Sequence, residues 1–303
     1  MHEKGAENMR RAVEEEFAVM RREDLTLPQT EIDRIRDYFT TPDLEPRAAR
    51  SEALMERRGR DANFAAFVDT NVLKHKVSGY GVVTISLKGI GEIAGDATSE
   101  QMDAVADLAQ TYGHDEIRVS HEQNLVLPHV ALDDLPAVYD GLVAAKLATA
   151  NAGLITDIIA CPGLDYCSLA TARSIPVQQR ISERFGDASR ARDIGDLKIK
   201  ISGCINACGH HHVGNIGILG LERKGVETYQ ITLGGSGDET CSLGDITGPG
   251  FSYEDVVGAV ETIVDTYMSL RQSSRETFLA AYRRVGMAPF KKALYERDSG
   301  ADI

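Results

Sequence analysis

Tryptophan is absent from this 303-residue chain, and aromatic residues together make up only 6% of it. The missing tryptophan decides nothing alone, but other absences exclude whole classes. No run of eighteen residues is continuously apolar, so no helix of bilayer length is expected. The opening stretch, MHEKGAENMRRAVEEEF, is charged and has no apolar core, so no secretory signal is expected. Basic charge is scarce: 33 Lys and Arg stand against 46 Asp and Glu, a formal net charge of −13. Binding a phosphate backbone needs a basic face, so no nucleic-acid partner is expected. A small anionic substrate would need a local basic pocket working against the overall field. The expectation is a cytoplasmic chain with neither membrane nor nucleic acid among its partners.

Cysteine is also sparse, with five in all, yet four of them fall into two tight pairs. Cys161 and Cys167 are separated by five residues, Cys204 and Cys208 by three, and Cys241 stands alone. A chain of this length in a reducing compartment needs no disulfides to hold a core, so the pairs suggest metal binding. Thiolates suit zinc, copper(I) or iron–sulfur clusters. The five-residue gap fits a zinc knuckle poorly and a cubane cluster more readily, although spacing alone leaves both open. The bland reading is reduced cysteines packed as small hydrophobes.

Before these pairs, apolar periodicity predicts organisation. Met9, Val13, Phe17 and Met20 recur at helical spacing, as do Ile32, Ile35 and Phe39, until TTPDLEP (40–46) breaks the pattern. From about residue 72 to 150 the order is β-α-β-β-α. GYGVVTISL (79–87), EIRVS and NLVLPHV read as strands, and DDLPAVYDGLVAAKL reads as a helix. The helix from Ser99 is expected to start with a Thr98–Gln101 capping box and to bury Met102, Val105, Ala109 and Tyr112. Residues 152 to about 272 read as one α/β domain, with strands in DLKIKISGC, NIGILG and TYQITLGG. Its long closing helix is expected to bury Val256, Val260, Ile263, Val264 and Tyr267, and a short helical tail follows.

Around the first pair, Pro162 and Gly163 are expected to keep the backbone irregular and its N–H groups free for sulfur. Gly203 and Gly209 bracket the second pair, allowing close approach by something bulky. His210, His211 and His212 tempt a zinc reading, but on an extended segment consecutive side chains alternate faces and cannot all converge. Lys74, His75 and Lys76 read as a solvated strand edge. Lys198 and Lys200 read as an outward strand face, with contact to a cofactor carboxylate as the second reading. GIGEIAG (89–95) and GGSG (234–237) lack the GxGxxG and Walker patterns, so no nicotinamide or ATP site is expected.

CPGLDYC, then thirty-six residues, then CINAC and GHHHVGNIGILG, resembles the siroheme and [4Fe-4S] signature of the sulfite and nitrite reductases. IRVSHEQNLVLPHV (117–130) resembles that family's haem-pocket strand, and YQITLGG (229–235) and FLAAYRRVG (278–286) resemble its later segments. The resemblance implies an α+β fold. A helical linker segment (1–61) would lead to a ferredoxin-like α/β sandwich half-domain (62–151), followed by an α/β siroheme/iron–sulfur domain with C-terminal helices (152–303). It implies that Cys161, Cys167, Cys204 and Cys208 hold the cluster, and that Cys208 also bridges to the siroheme iron. Asn206, Gln123 and Asn124 match positions near the macrocycle, and Arg118 matches a carboxylate partner. The implied reaction is the six-electron reduction of sulfite to sulfide or nitrite to ammonia, with sulfite preferred. Electrons would come from ferredoxin or a flavoprotein.

The resemblance also implies a deficit. Such enzymes run to roughly twice this length as two related halves, and this chain is similar to the second half alone. The basic substrate-binding set belongs to the first half, and no RKxK-type segment occurs here. No catalytic residue is therefore assigned. The implied partner is a separate N-terminal-half chain or a second copy of this one, seated on exposed apolar surface. Two other readings stand beside it: a cofactor-holding subunit without turnover, and a zinc-binding structural protein.

Overall fold

The computed structural model describes residues 5–21, 26–40 and 42–296. Residues 1–4, 22–25 and 41 of the expected linker and 297–303 of the C-terminal tail lie outside the described residues. The chain divides into two compact units, one up to Glu45 and one from Pro46. The first unit holds α1 (Ala6–Met20) and α2 (Gln29–Asp37). Both are helical as the periodicity predicts, but neither contains a buried residue, and Met9, Val13, Phe17 and Met20 are all exposed.

The second unit opens with α3 (Glu52–Arg60) and α4 (Ala62–Asn71). Ser51 caps the first by accepting from Leu54 N–H, and Asp61 caps the second by accepting from Asn63 and Phe64. An antiparallel four-stranded sheet follows, in the order β1-β2-β4-β3. Its strands are β1 (Val72–Lys74), β2 (Tyr80–Ile85), β3 (Arg118–Val119) and β4 (Leu125–Ala131). The helices α5 (Ser99–Tyr112) and α6 (Leu135–Ala144) pack together beside it. The Thr98–Gln101 capping box is present in full. The buried stripe of α5 is shifted from the expected one: Met102 is exposed and Leu108 is buried beside Val105 and Ala109. Leu108 meets Gly141 of α6, where a Cβ would strike its side chain, so close helix contact draws in the leucine. One core joins Phe64 and Phe67 of α4 to Val83, Ile85, Leu127, Val138 and Leu142.

The chain then runs through β5 (Ile159–Ala160), α7 (Gly163–Tyr166), α8 (Ile175–Arg184), α9 (Ala188–Ile194) and β6 (Ile199–Ser202). A short 3-10 turn (His211–Val213) leads into β7 (Ile216–Arg223), β8 (Val226–Leu233), β9 (Asp245–Ile246) and β10 (Phe251–Ser252). Helices α10 (Val256–Leu270), α11 (Phe278–Val285) and α12 (Ala288–Tyr295) close the unit. The second sheet has the order β10-β8-β7-β6-β5, and β9 also pairs with β8. Strands β5, β6 and β7 are mutually parallel, whereas β7 and β8 form an antiparallel hairpin. Lys224 and Gly225, both with positive φ, make its two-residue turn, the geometry that matches strand twist. The expected stripe of α10 is buried throughout. The α+β architecture is the one anticipated.

A buried polar knot joins the two sheets. Lys88, fully buried just after β2, donates to Asp157 Oδ1 at 2.7 Å and to Asn124 Oδ1 at 2.9 Å, and also contacts the carbonyl of Glu122.

Candidate functional site

The carboxyl ends of neighbouring parallel strands are where α/β sheets present ligand-binding loops. Here β5 and β6 pair with Ala160 opposite Ile201, so Cys161 and Cys204 emerge side by side at those ends. Cys161 N–H continues the ladder to Ile201 O at 3.1 Å, and Gly203 N–H donates to Cys161 Sγ at 3.1 Å. The loop after Cys161 is stitched to the loop before Cys204. Thr171 and Ala172 both donate backbone N–H groups to Gly203 O, at 2.9 and 3.0 Å.

This stitching corrects two expectations. Pro162 and Gly163 do not leave an irregular backbone but open the four-residue helix α7, with Cys167 at its end. The N–H that reaches the sulfur comes from the other loop. Nor do Gly203 and Gly209 make room for a bulky guest. A Cβ on Gly203 would lie 2.5 Å from Ala172 O, and one on Gly209 would collide with Ile201 O. Those glycines are needed because the chain packs on itself.

Cys161 and Cys204 are buried, Cys167 is half-buried and Cys208 is exposed. The segment from Cys204 to His210 coils tightly: Ala207 N–H donates to Cys204 O, His210 N–H to Ala207 O, and Gly209 N–H to Ser202 Oγ. Ala207 and His210 take positive φ. Asn206 and Ile205 are exposed on this coil, and Leu164, Tyr166 and Leu169 are exposed on the facing loop. Among the described residues, no three His, Cys, Asp or Glu side chains converge closely enough to hold a single metal ion. Cys241 is exposed in its own loop.

The other anticipated residues are dispersed. Gln123, at φ 56°, clamps Ala160 in both directions: its Nε2 donates to Ala160 O at 2.9 Å and its Oε1 accepts from Ala160 N–H at 3.1 Å. Its amide thus acts as a further strand edge against β5, one residue before Cys161. Asn124 is buried, with Nδ2 on Asp157 and Oδ1 accepting from Leu87 N–H and Lys88 Nζ. Arg118 is exposed on β3 and pairs with Glu116 at 2.5 Å. The strand and its residues were legible, but not that two of the amides are taken up by the protein itself.

The three histidines do not alternate along an extended segment, because a 3-10 turn begins at His211. His211 is buried, its ring centroid is 3.9 Å from that of His212, and its Nδ1 has no hydrogen-bond partner among the described residues. Burial, reinforced by the His212 ring, depresses its pKa to about 4. His75 also departs from a solvated edge: its Nε2 lies 3.0 Å from Nδ1 of the buried His129.

Lys198, just before β6, keeps a partly exposed side chain, whereas Lys200 is buried rather than on an outward face. They line a cleft of about 560 Å³ with Glu122, His210, Asn215 and Ser236. β6 is an interior strand, paired on both edges by β5 and β7, and it is buried along its whole length. Lys200 is 5% exposed, and no signal in composition or periodicity set it apart from a surface lysine.

Two family descriptions match this chain. Residues 76–145 match the nitrite/sulfite reductase ferredoxin-like half domain, and residues 152–301 match the nitrite and sulphite reductase 4Fe-4S domain. "Sulfite reductase [ferredoxin] 2" of Mycolicibacterium paratuberculosis is 34% identical over 49% of this chain and 28% of its own length. "Ferredoxin--nitrite reductase" of Synechococcus elongatus is 29% identical over 74% of this chain and 42% of its own. The structure of Mycobacterium tuberculosis NirA superposes with a TM-score of 0.60 at 23% identity, covering 73% of this chain and 41% of that one. Dissimilatory sulfite reductase I gives 0.59 at 12% identity, and both structures speak for the fold alone. The chain spans less than half the length of these curated relatives. By its two matched domains, the chain belongs to the nitrite/sulfite reductase family.

Proposed function

We propose that this chain is the cofactor-bearing, carboxy-terminal half of a siroheme- and [4Fe-4S]-dependent reductase of sulfite or nitrite, acting in the cytoplasm. The observation that carries the reading is the placement of the two cysteine pairs on stitched loops at the ends of β5 and β6. The donor set fits the cluster: four thiols, with one backbone N–H already directed at sulfur, the contact that tunes cluster potential. Cys161, Cys167, Cys204 and Cys208 would hold it. The exposed Cys208, beside exposed Asn206 and Ile205, suits a thiolate shared with a macrocycle lying against the loops.

Siroheme coupled to the cluster would supply single-electron delivery to a bound oxyanion. The chain's own residues position that chemistry. Gln123 fixes the strand that ends at Cys161, and Gly203 orients its sulfur. Asn124, through Asp157 and Lys88, holds the two sheets in register behind the loops. Arg118, exposed and paired through Nε with Glu116, would have to share or exchange that partner to meet a cofactor carboxylate.

The donor would be ferredoxin, the one named for the relatives, or a flavoprotein. The rest of the substrate pocket would come from an N-terminal-half chain or from self-association. The exposed Leu164, Tyr166, Leu169 and Ile205 support such an apolar interface. The test is reductant-driven consumption of sulfite and of nitrite by the anaerobically purified chain, alone and mixed with a candidate first-half chain. Turnover only in the mixture is the expected outcome. No turnover in any mixture, by a chain that carries both cofactors, would reduce the proposal to a cofactor-holding subunit.

A further inference from the structure

Lys200 is a buried cation with an unfilled role. Its side chain leaves an interior strand and lines the cleft under the histidine turn, yet its ammonium makes no hydrogen bond or ion pair among the described residues. The carboxylates that act on it are already engaged: Glu122 Oε1 accepts from Lys198 Nζ at 2.8 Å, and Asp157 Oδ1 accepts from Lys88 Nζ at 2.7 Å. Asn215 is used up as well, with Oδ1 on Lys198 N–H and Nδ2 on Gly235 O. Asp196 and Asp238 also line the cleft, but Asp238 is exposed and screened by solvent, and burial raises the pKa of the Asp196 carboxyl, favouring its neutral form. Burial holds the pKa of Lys200 below that of a free lysine, Glu122 acting against the shift. The stem of Lys200 is buried while its ammonium faces the cleft without a partner, a position that a bound anion would stabilise.

We propose that this cleft is an oxyanion site, with Lys200 as the principal contact for a small monovalent oxyanion group and Ser236 and His210 as neighbouring donors. Monovalence follows from the setting: one uncompensated cation lies at depth, and carboxylates at the rim disfavour a second negative charge. The shared chemistry is that of nitrite, bisulfite and a carboxylate. The inference stands on the geometry of β6, and only the choice of nitrite and bisulfite as probes rests on the function proposed above.

The experiment is calorimetric titration of the purified full chain with nitrite, bisulfite and acetate, repeated on Lys200→Met and Glu122→Gln. Saturable binding weakened at least tenfold in Lys200→Met is expected, with a melting temperature no lower than the parent's, because a lone buried cation has been removed. Glu122→Gln is expected to tighten binding severalfold by freeing Lys198. Binding of the inorganic anions without acetate assigns a free oxyanion, whereas equal binding of acetate that disappears on loading siroheme assigns a carboxylate of the macrocycle. Absence of saturable binding, or binding unchanged in Lys200→Met, overturns the inference. Loss of anion binding in a chain that still contains labile sulfide leaves the proposed function standing. Anion binding by a chain without sulfide does the reverse.

Discussion

The backbone N–H of Gly203, just past the end of β6, donates to Sγ of Cys161, just past the end of β5, at 3.1 Å. This contact joins the two cysteine-bearing loops, and the approach of Ala172 O leaves no room for a Cβ at position 203. Gly203→Ala would place a methyl 2.5 Å from Ala172 O and 3.0 Å from Gly163 Cα. Overpacking of this kind costs about 1–3 kcal/mol. The expected result is a lower denaturation midpoint together with lost or altered iron–sulfur absorption. Unchanged absorption and stability would show that the stitching is not needed.

Gln123 predicts a subtler effect. Gln123→Ala removes both hydrogen bonds to Ala160, at about 1 kcal/mol each. Denaturant titration should show a loss of about 1–3 kcal/mol. The clamp adjoins Cys161, so the cluster should also become more easily lost to chelators.

The Lys88–Asp157 pair is buried on both sides. Lys88→Met leaves an unpaired carboxylate inside the protein and should destabilise it by about 3–5 kcal/mol. Lys88→Met combined with Asp157→Leu should recover much of that loss. If the double variant is as unstable as the single one, the knot contributes more than charge pairing.

His211 carries a pH dependence whose sign follows from burial. Its folded pKa is about 4 against an ordinary value of 6.5, so between those values the unfolded chain binds a proton that the folded chain refuses. Stability should therefore fall as the pH drops from about 6.5 towards about 4. His211→Phe should flatten that part of the profile, measured as denaturation midpoints at pH 7 and pH 4.5. A profile identical to the parent's would mean that His211 is protonated where it lies.

Much of this was legible in the sequence, for physical reasons. The cysteine pairs stood out because paired thiols at short spacing suit soft-metal ligation. The Thr98 cap and the α10 stripe were recognisable because local geometry fixes them. What escaped depends on contacts far apart in the chain. Leu108 replaces Met102 in the core because Gly141 admits it, and Gly203 is small because Ala172 returns beside it. Lys198 and Lys200 alternate like surface residues, yet parallel neighbours on both sides of β6 turn them into a cleft lining.

Cys208 and Cys241 are both exposed, but only Cys208 belongs to the stitched loops. Cys208→Ser should change the cluster and haem spectra together, whereas Cys241→Ser should change neither. Normal spectra in Cys208→Ser would remove the shared thiolate.

The most direct measurement is iron, zinc and labile-sulfide analysis, with an absorption spectrum, of the chain made with siroheme supplied and purified without oxygen. One cubane plus one haem corresponds to about four sulfides and about five irons per chain, with haem bands above the cluster absorption. That is the expected result. A colourless protein holding about one zinc and no sulfide, the composition of a structural zinc site, would contradict it.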